Sequence, residues 1–132
     1  MRYAEGDRLA PAEYRALRAA SGWSDPDVDD AALEGTLGAT WNVTARRDDG
    51  GLVGMGRVQD DGLYASIWDM IVLPEHRAQG IGGAIFERML AHCRGRSLVA
   101  LVATPLGAPI YRAAGFSEES NGSIALFMRD VQ

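Results

Sequence analysis

The chain has 132 residues, of which 47% are apolar, so it can build one compact core and is too apolar for a disordered chain. Its net charge of −5 argues against binding to a phosphate backbone, so we expect no nucleic-acid partner. A single cysteine, Cys93, excludes an internal disulfide and gives no metal cluster, and no apolar run approaches the ~20 residues that span a bilayer. The first residues lack the apolar stretch of a secretory signal. We therefore expect one domain over residues 1–132, in the cytoplasm, with no metal and no membrane partner.

The first part of the chain predicts two helices between strands. A short strand is expected at Tyr3–Glu5, and Pro11–Ala20 is predicted to be a helix because proline suits a first helical position. A second helix is predicted from Asp25, as N-cap, to Gly38, with acidic residues crowded in its first turn. Alternating apolar residues then predict a strand at Trp41–Arg47.

The rest of the chain predicts a hairpin followed by a strand–helix–strand crossover. Turns rich in aspartate and glycine flank a predicted strand at Leu52–Gln59. The predicted elements that follow are a strand at Leu63–Leu73, a helix at Ile81–Arg94, a central apolar strand at Leu98–Ala103, a short helix at Pro109–Ala114 and a last strand at Ser123–Met128. The order β-α-α-β-β-β-α-β-α-β predicts an α/β fold in which helices flank a mixed, mostly antiparallel sheet.

Three glycines fall within four positions where the helix at Ile81 begins, in the sequence RAQGIGGAIF of residues 77–86. Glycine in a helix costs ~1 kcal/mol relative to alanine, so these residues need another explanation. A helix N-terminus offers unpaired N–H groups to an anion, and glycine lets a ligand approach the backbone closely. The pattern indicates a large anion such as a diphosphate. The loops GxxxxGK(S/T) and GxGxxG do not fit, because the chain has no lysine and no third glycine in register.

The segment Arg77-Ala78-Gln79-Gly80-Ile81-Gly82 matches the pattern Q/R-x-x-G-x-G/A and resembles the acyl-CoA loop of the GNAT superfamily of N-acyltransferases. A second block, Tyr111-Arg112-Ala113-Ala114-Gly115-Phe116, resembles the family's Y-x-x-x-G-F. The resemblance covers residues 41–116, and the order of elements agrees along the chain. It implies a GNAT-like fold.

The resemblance implies that acetyl-CoA is the co-substrate. In this family the diphosphate lies against amides of the loop, and the pantetheine pairs with the strand before it, where the next strand splays away. The residues implied to bind the cofactor are Met70, Ile71, Val72, Arg77, Ala78, Gln79, Gly80, Ile81, Gly82 and Gly83. Thr104 stands where members often carry an asparagine, and its hydroxyl can still reach the pantetheine.

The resemblance also implies two catalytic residues. Tyr111 matches the general-acid tyrosine that protonates the leaving thiolate, and its alternative role is packing within the short helix. Asp69 is the only charge in its predicted strand and lies where members can carry an acidic base. Alternation places it on one face with Ile67 and Ile71, unless a bulge re-aims it. Its alternative role is a carboxylate that bonds neighbouring backbone or pairs with an arginine such as Arg57.

The family's acceptor lies near the first two helices, where five acidic residues occur between positions 25 and 34. An acidic rim there would attract a cationic amine, although acids also favour a helix N-terminus without any ligand. The acceptor stays open between small-molecule and peptide amines. A homodimer through the late strands is compatible with the sequence, but no feature argues for it.

The sequence therefore predicts an acetyl-CoA-dependent N-acetyltransferase in which a primary amine attacks the thioester directly. The alternative is a non-catalytic acyl-CoA-binding domain with the same fold, a sensor or an interaction module. Tyr111 favours the enzyme, whereas Thr104 in place of asparagine mildly favours the alternative. Turnover of acetyl-CoA with an amine distinguishes the two.

Overall fold

The computed structural model describes residues 1–119 and 121–131, which form two compact units. The first unit is Met1–Val102, and the second begins at Ala103. The elements of the first unit are β1 (Arg2–Glu5), α1 (Pro11–Ala20), α2 (Asp30–Gly38), β2 (Trp41–Arg46), β3 (Leu52–Asp60), β4 (Tyr64–Val72), a 3-10 turn (Pro74–His76), α3 (Ile81–His92) and β5 (Leu98–Leu101). The second unit carries the short helix α4 (Ala108–Ala113). The prediction of a single domain over 1–132 stays a prediction.

One mixed sheet organises the first unit. Its strands follow the order β1-β2-β3-β4-β5, and each neighbouring pair is antiparallel except β4–β5, which is parallel. A parallel pair needs a crossover connection, and α3 supplies it. The predicted α/β class, with a mostly antiparallel sheet flanked by helices, is confirmed. None of the described helices is long and apolar enough for a membrane span.

Helices cover both faces of the sheet. On one face, Tyr14 of α1 and leucines of α1 and α2 pack against Met55 of β3 and Ile71 of β4. On the other face, α3 lies so close to β3 that a Cβ at Gly56 would come within 2.5 Å of the Met89 side chain. The small residue therefore lets the crossover helix pack tightly on the strands, as close packing of a core requires.

The start of α2 differs from the prediction. Asp29, and not Asp25, is the N-cap, and its carboxylate accepts a hydrogen bond from the first helical turn. Asp25 instead pairs with Arg15 of α1 at 2.6 Å, and the same guanidinium bonds the carbonyls of Pro26 and Val28. Because Arg15 holds this stretch outside the helix, α2 begins only after it.

The last predicted strand, Ser123–Met128, is also wrong. In the described part of the chain this stretch has an isolated bridge at Ser123 and no strand, and its large apolar side chains are 70–82% exposed. An alternating pattern forms a strand only where a partner strand is available to pair with it. Accordingly β5, predicted to be central, is the last strand of the described sheet, and its Leu98 is 51% exposed.

Candidate active site

β4 is paired with β5 along only part of its length. The parallel ladder runs from Tyr64 opposite Leu98 to Ile67 opposite Leu101, whereas β4 continues to Val72. The β5 side of residues 68–72 therefore has no strand partner within the described ranges. An open edge of this kind presents unpaired N–H and C=O groups to a ligand.

The direction of the peptide groups on this edge follows from one hydrogen bond. The amide of Leu73 donates to the carbonyl of Val53 in β3 at 2.9 Å. Because peptide groups alternate in direction along a strand, those of Ile71 also point to β3, whereas those of Met70 and Val72 point to the open edge. Of the three residues predicted to pair with pantetheine, Met70 and Val72 thus have backbone groups directed to the open edge.

A β-bulge lies at the start of this edge. The register between β3 and β4 shifts between positions 55 and 57, so that Asp69 and Met70 together face Gly56. Asp69 has a φ of 53°, in the left-handed region that residues with a Cβ rarely adopt. An extra residue on one strand bends that strand and re-aims its side chains.

The bulge decides which side chains of β4 share a face. Before it, Trp68 pairs with Arg57 and Ile67 pairs with Val58. Arg57 and Asp69 both contact α1 residues, so Trp68 and Asp69 lie on the α1 face. Ile67 lies on the opposite face, which corrects the simple alternation that grouped it with Asp69. The β-bulge that was expected to re-aim Asp69 is therefore present.

Three side chains hold the Asp69 carboxylate. Its Oδ2 accepts hydrogen bonds from the hydroxyl of Tyr14 at 2.5 Å and from Nε of Arg57 at 2.8 Å. Its Oδ1 lies 3.3 Å from Nη1 of Arg18, whose guanidinium also covers the ring of Trp23. The structure thus brings Asp69 into the arginine-paired arrangement given as its alternative role, and the role as base stays a prediction.

Tyr14 remains a hydrogen-bond donor in this cluster. Burial, together with the hydrogen bond to the Asp69 carboxylate, raises the pKa of Tyr14. The phenol therefore stays protonated at neutral pH and keeps donating to Asp69. Sequence reasoning missed Tyr14 and Arg18. Their i, i+4 spacing on α1 was the available signal that both could reach one point of the sheet.

The glycine loop follows directly after β4 and presents free amides. Ala78 and Gly80 have left-handed φ values of 60° and 80°, a backbone bend typical of anion-binding nests. Among the described residues, the amides from Ala78 to Gly83 donate no hydrogen bond to any acceptor. The first amide of α3 that does so is that of Ala84, which donates to the carbonyl of Gly80. The loop residues from Arg77 to Gly80 are exposed. The loop predicted for the diphosphate therefore has a run of unpaired donors.

The glycines of the first turn of α3 leave room beside these amides. A Cβ at Gly83 would meet nothing within 4 Å, so this position opens onto free space. A Cβ at Gly82 would touch the side chains of Met70 and Val72 at 3.7 Å. The first turn of α3 therefore lies directly beside the open edge of β4. An acyl-CoA fits this arrangement, because its diphosphate needs N–H donors and its pantetheine needs a strand edge.

In the second unit, Tyr111 lies on α4 and is buried, with 8% of its surface exposed. Burial raises the pKa of Tyr111. Its ring packs over Gly107, where a Cβ would come within 3.3 Å of Cε2, and it meets Phe116 edge-on. The hydroxyl of Thr104 accepts a hydrogen bond from the amide of Gly107 at 3.2 Å, in the turn that precedes α4.

The acidic residues between positions 25 and 34 largely have partners of their own. Arg15 pairs with Asp25 and Asp30, and Asp29 caps α2. Glu34 pairs with the exposed guanidinium of Arg8. Structural roles thus account for these acids, which favours the explanation that needs no cationic ligand.

The strained backbone of Asp69 is testable by substitution. We expect Asp69→Ala and Asp69→Gly both to lower the free energy of unfolding by about 2 kcal/mol or more, because Arg18 and Arg57 lose their partner. Asp69→Gly should be the more stable of the two by about 1 kcal/mol, because only glycine adopts a left-handed φ without cost. Urea denaturation of both variants measures the difference.

The control is the same pair of substitutions at Ser66, an ordinary position of β4. There the alanine variant should be the more stable, as is usual within a strand. An Asp69→Ala variant at least as stable as Asp69→Gly would contradict the strained bulge.

Comparison with known proteins identifies the family. A protein-family model described as an acetyltransferase (GNAT) domain matches residues 40–118. Serotonin N-acetyltransferase 2, chloroplastic, of Oryza sativa subsp. japonica is 37% identical over 68 residues, which are 49% of this chain and 34% of that protein. The chain spans about a third of the length of the first curated relatives that it matches.

Solved structures agree with this match. A probable acetyltransferase of meticillin-resistant Staphylococcus aureus superposes with a TM-score of 0.79 at 26% identity, covering 97% of this chain and 99% of that one. A "predicted acetyltransferase" of Clostridium acetobutylicum, solved with acetyl-CoA, shares the fold with a TM-score of 0.69 at 18% identity, covering 96% of this chain and 95% of that one. Since the family model covers more than half of the sequence, the chain belongs to the GNAT family of acetyltransferase domains.

Proposed function

We propose that this chain is an N-acetyltransferase that transfers an acetyl group from acetyl-CoA to a primary amine. The observation that carries the proposal is the open edge of β4 beside a glycine loop with unpaired amides. Strand edge and loop together match the two binding needs of an acyl-CoA, one along its pantetheine and one at its diphosphate. Membership of the GNAT family supports the same conclusion.

The chain's own residues would hold the co-substrate in two places. The amides from Ala78 to Gly83 would bind the diphosphate at the N-terminus of α3, where the helix dipole also favours negative charge. The amide of Arg77, predicted to share this role, instead donates to the carbonyl of Pro74 at 3.3 Å. The peptide groups of Met70 and Val72 would pair with the pantetheine along the strand edge. Thr104 stays a proposed contact to the pantetheine. When bound, acetyl-CoA supplies a thioester whose carbonyl carbon accepts the attacking amine.

Proton transfer completes the reaction. The amine nitrogen loses a proton as its bond to the acetyl carbon forms, and the departing sulfur gains one as the thioester bond breaks. We assign the second step to Tyr111, which matches the family's acid in sequence and whose raised pKa keeps the phenol protonated at neutral pH.

Asp69 has two candidate roles. As a base it would take the proton of the amine, directly or through a water molecule. As a paired anion it would hold the bulge that turns the Met70 peptide group to the open edge. Three donors already occupy its carboxylate oxygens, and this favours the second role. Three further predictions remain untested. They are a small-molecule or peptide amine as the acceptor, a cytoplasmic location and a homodimer.

Gly83 offers a test of the binding site that separates affinity from stability. We expect Gly83→Ala to raise the free energy of unfolding by up to about 1 kcal/mol, because alanine is the better helix former. The same variant should bind acetyl-CoA at least tenfold more weakly, because its Cβ occupies the space beside the amides. Denaturation and calorimetric titration measure the two effects.

The matched control is Gly35→Ala in α2, where a Cβ also meets nothing within 4 Å. This variant should gain similar stability and keep its affinity for acetyl-CoA. Unchanged affinity in Gly83→Ala would show that the loop does not hold the co-substrate.

Tyr111 offers a test of the chemistry. We expect Tyr111→Phe to lower kcat by about 100-fold or more while acetyl-CoA affinity stays within twofold, because only the proton donor is lost. Thiol release from acetyl-CoA against a panel of primary amines measures turnover, and calorimetry measures binding. Tyr3→Phe on β1 is the control and should leave both unchanged. An undiminished kcat in Tyr111→Phe rules out the acid assignment, and acetyl-CoA binding without thiol release on any amine would favour the non-catalytic alternative.

A further inference from the structure

The arginines of the first unit differ in how fully their guanidinium groups are used. In Arg15 all three nitrogens donate to protein acceptors, namely two aspartates and two carbonyls. In Arg46 all three likewise donate, to Asp7, Glu13 and the carbonyl of Gly50. Every guanidinium nitrogen of these two arginines already has a protein acceptor, which indicates structural roles for both.

Arg18 and Arg57 donate from only two of their three guanidinium nitrogens to the described residues. Arg18 donates from Nε to the carbonyl of Ser24 and from Nη1 to Tyr14 and Asp69. Arg57 donates from Nε to Asp69 and from Nη1 to Thr40. The Nη2 group of each has no acceptor within the described ranges.

These two Nη2 groups reach the surface although the side chains are mostly buried. The side chains of Arg18 and Arg57 are only 15% and 12% exposed. Neither Nη2 is among the fully buried polar atoms that lack a partner in the described structure. Each arginine is therefore held by its other nitrogens, while its Nη2 group is not fully buried and has no acceptor among the described residues. Such preorganised donors lose little entropy when they bind an acceptor.

The charges of this cluster do not balance. Two guanidinium groups share the single carboxylate of Asp69, so one positive charge is left over. Asp25 and Asp30 contact Arg15, and among the described residues neither carboxylate pairs with Arg18 or Arg57, so neither occupies their unused Nη2 groups. One excess positive charge in a partly desolvated site suits one carboxylate, with charge-assisted hydrogen bonds from both arginines.

The cluster lies next to the proposed site of reaction. Asp69 directly precedes Met70, whose peptide group points to the open edge of β4. Arg57 is paired with Trp68, which is 41% exposed on the same face of the sheet. The ring of Trp23 lies 5.2 Å below the guanidinium of Arg18. An acceptor that binds here would have apolar surface for its body and two cationic donors for an anionic group.

We propose that Arg18 and Arg57 bind a carboxylate group of the acceptor, so that the acceptor is an amine which also carries a carboxylate, such as an amino acid. This inference rests on the proposed acetyl transfer and names the substrate class of that site. It replaces the cationic acceptor that an acidic rim would have selected.

The first experiment compares acceptors that differ only in the carboxylate. Thiol release from acetyl-CoA is measured with the common amino acids and with the same compounds as primary amides, and kcat/KM is expressed per unprotonated amine. We expect the carboxylates to be favoured at least tenfold over the amides. Dipeptide amides that begin with glutamate or glutamine form a second arm, which distinguishes a free amino acid from the acidic side chain of a peptide.

The second experiment assigns the preference to the two arginines. Arg57→Gln and Arg18→Gln should each lower the ratio of kcat/KM for carboxylate over amide to near one. Arg15→Gln, on the same helix as Arg18, should leave that ratio unchanged. Because Arg18 and Arg57 also hold Asp69, acetyl-CoA affinity and thermal melting are measured on every variant, and Arg57→Lys keeps the charge if Arg57→Gln unfolds.

The third experiment does not need turnover. N-acetyl amino acids and their primary amides are titrated into the wild-type protein and the Arg57 variants by calorimetry. We expect the wild type to bind at least one of the acids tenfold more tightly than its amide, and Arg57→Gln to lose the difference.

The outcomes separate this inference from the proposed function. If the protein turns over amines but the ratio of kcat/KM for carboxylates over amides is near one, the carboxylate site is wrong and acetyl transfer still stands. Selective binding of carboxylates without any turnover leaves the site standing and overturns acetyl transfer. No carboxylate preference in either assay, in a protein that binds acetyl-CoA, overturns the assignment of Arg18 and Arg57.

Discussion

The bulge in β4 determines the direction of the Asp69 side chain and of the Met70 peptide group, on which the candidate site of the first unit depends. One extra residue opposite Gly56 places the Asp69 side chain on the α1 face and turns the next peptide group, that of Met70, to the open edge. The contacts of Tyr14, Arg18 and Arg57 with the Asp69 carboxylate stabilise this arrangement against its left-handed backbone. The polar cluster around Asp69, on the α1 face of the sheet, therefore sets the geometry of the open edge of β4.

The open edge of β4 and the glycine loop form one continuous surface because α3 begins beside that edge. The parallel ladder to β5 stops at Ile67, and the chain leaves β4 through a turn that starts α3 beside the same edge. The first turn of α3 lies beside the side chains of Met70 and Val72, which a Cβ at Gly82 would touch at 3.7 Å. The glycines that weaken the helix are thus the residues that let its amides approach a ligand. Their cost to the stability of the helix is therefore explained by their role in binding.

Local patterns in the sequence were sufficient for most of the fold and for the loop. They failed where distant residues decide the outcome. Several aspartates could have capped α2, and Arg15, ten residues before Asp25, determines that Asp29 does so. The alternation at Ser123–Met128 carries no information on whether a partner strand is available. The pairing of Arg18 with Asp69 spans 51 residues, so no local spacing within β4 could reveal it.

We infer above all that the open edge of β4 and the first turn of α3 bind acetyl-CoA through their backbone amides. Amide hydrogen exchange, resolved by residue with and without saturating acetyl-CoA, tests this claim directly. We expect exchange to slow at least tenfold at Met70, Val72, Gly82 and Gly83, while the amide of Ile71, which points to β3, changes little. Equal exchange rates at these four amides in the free and saturated protein would contradict this mode of acetyl-CoA binding.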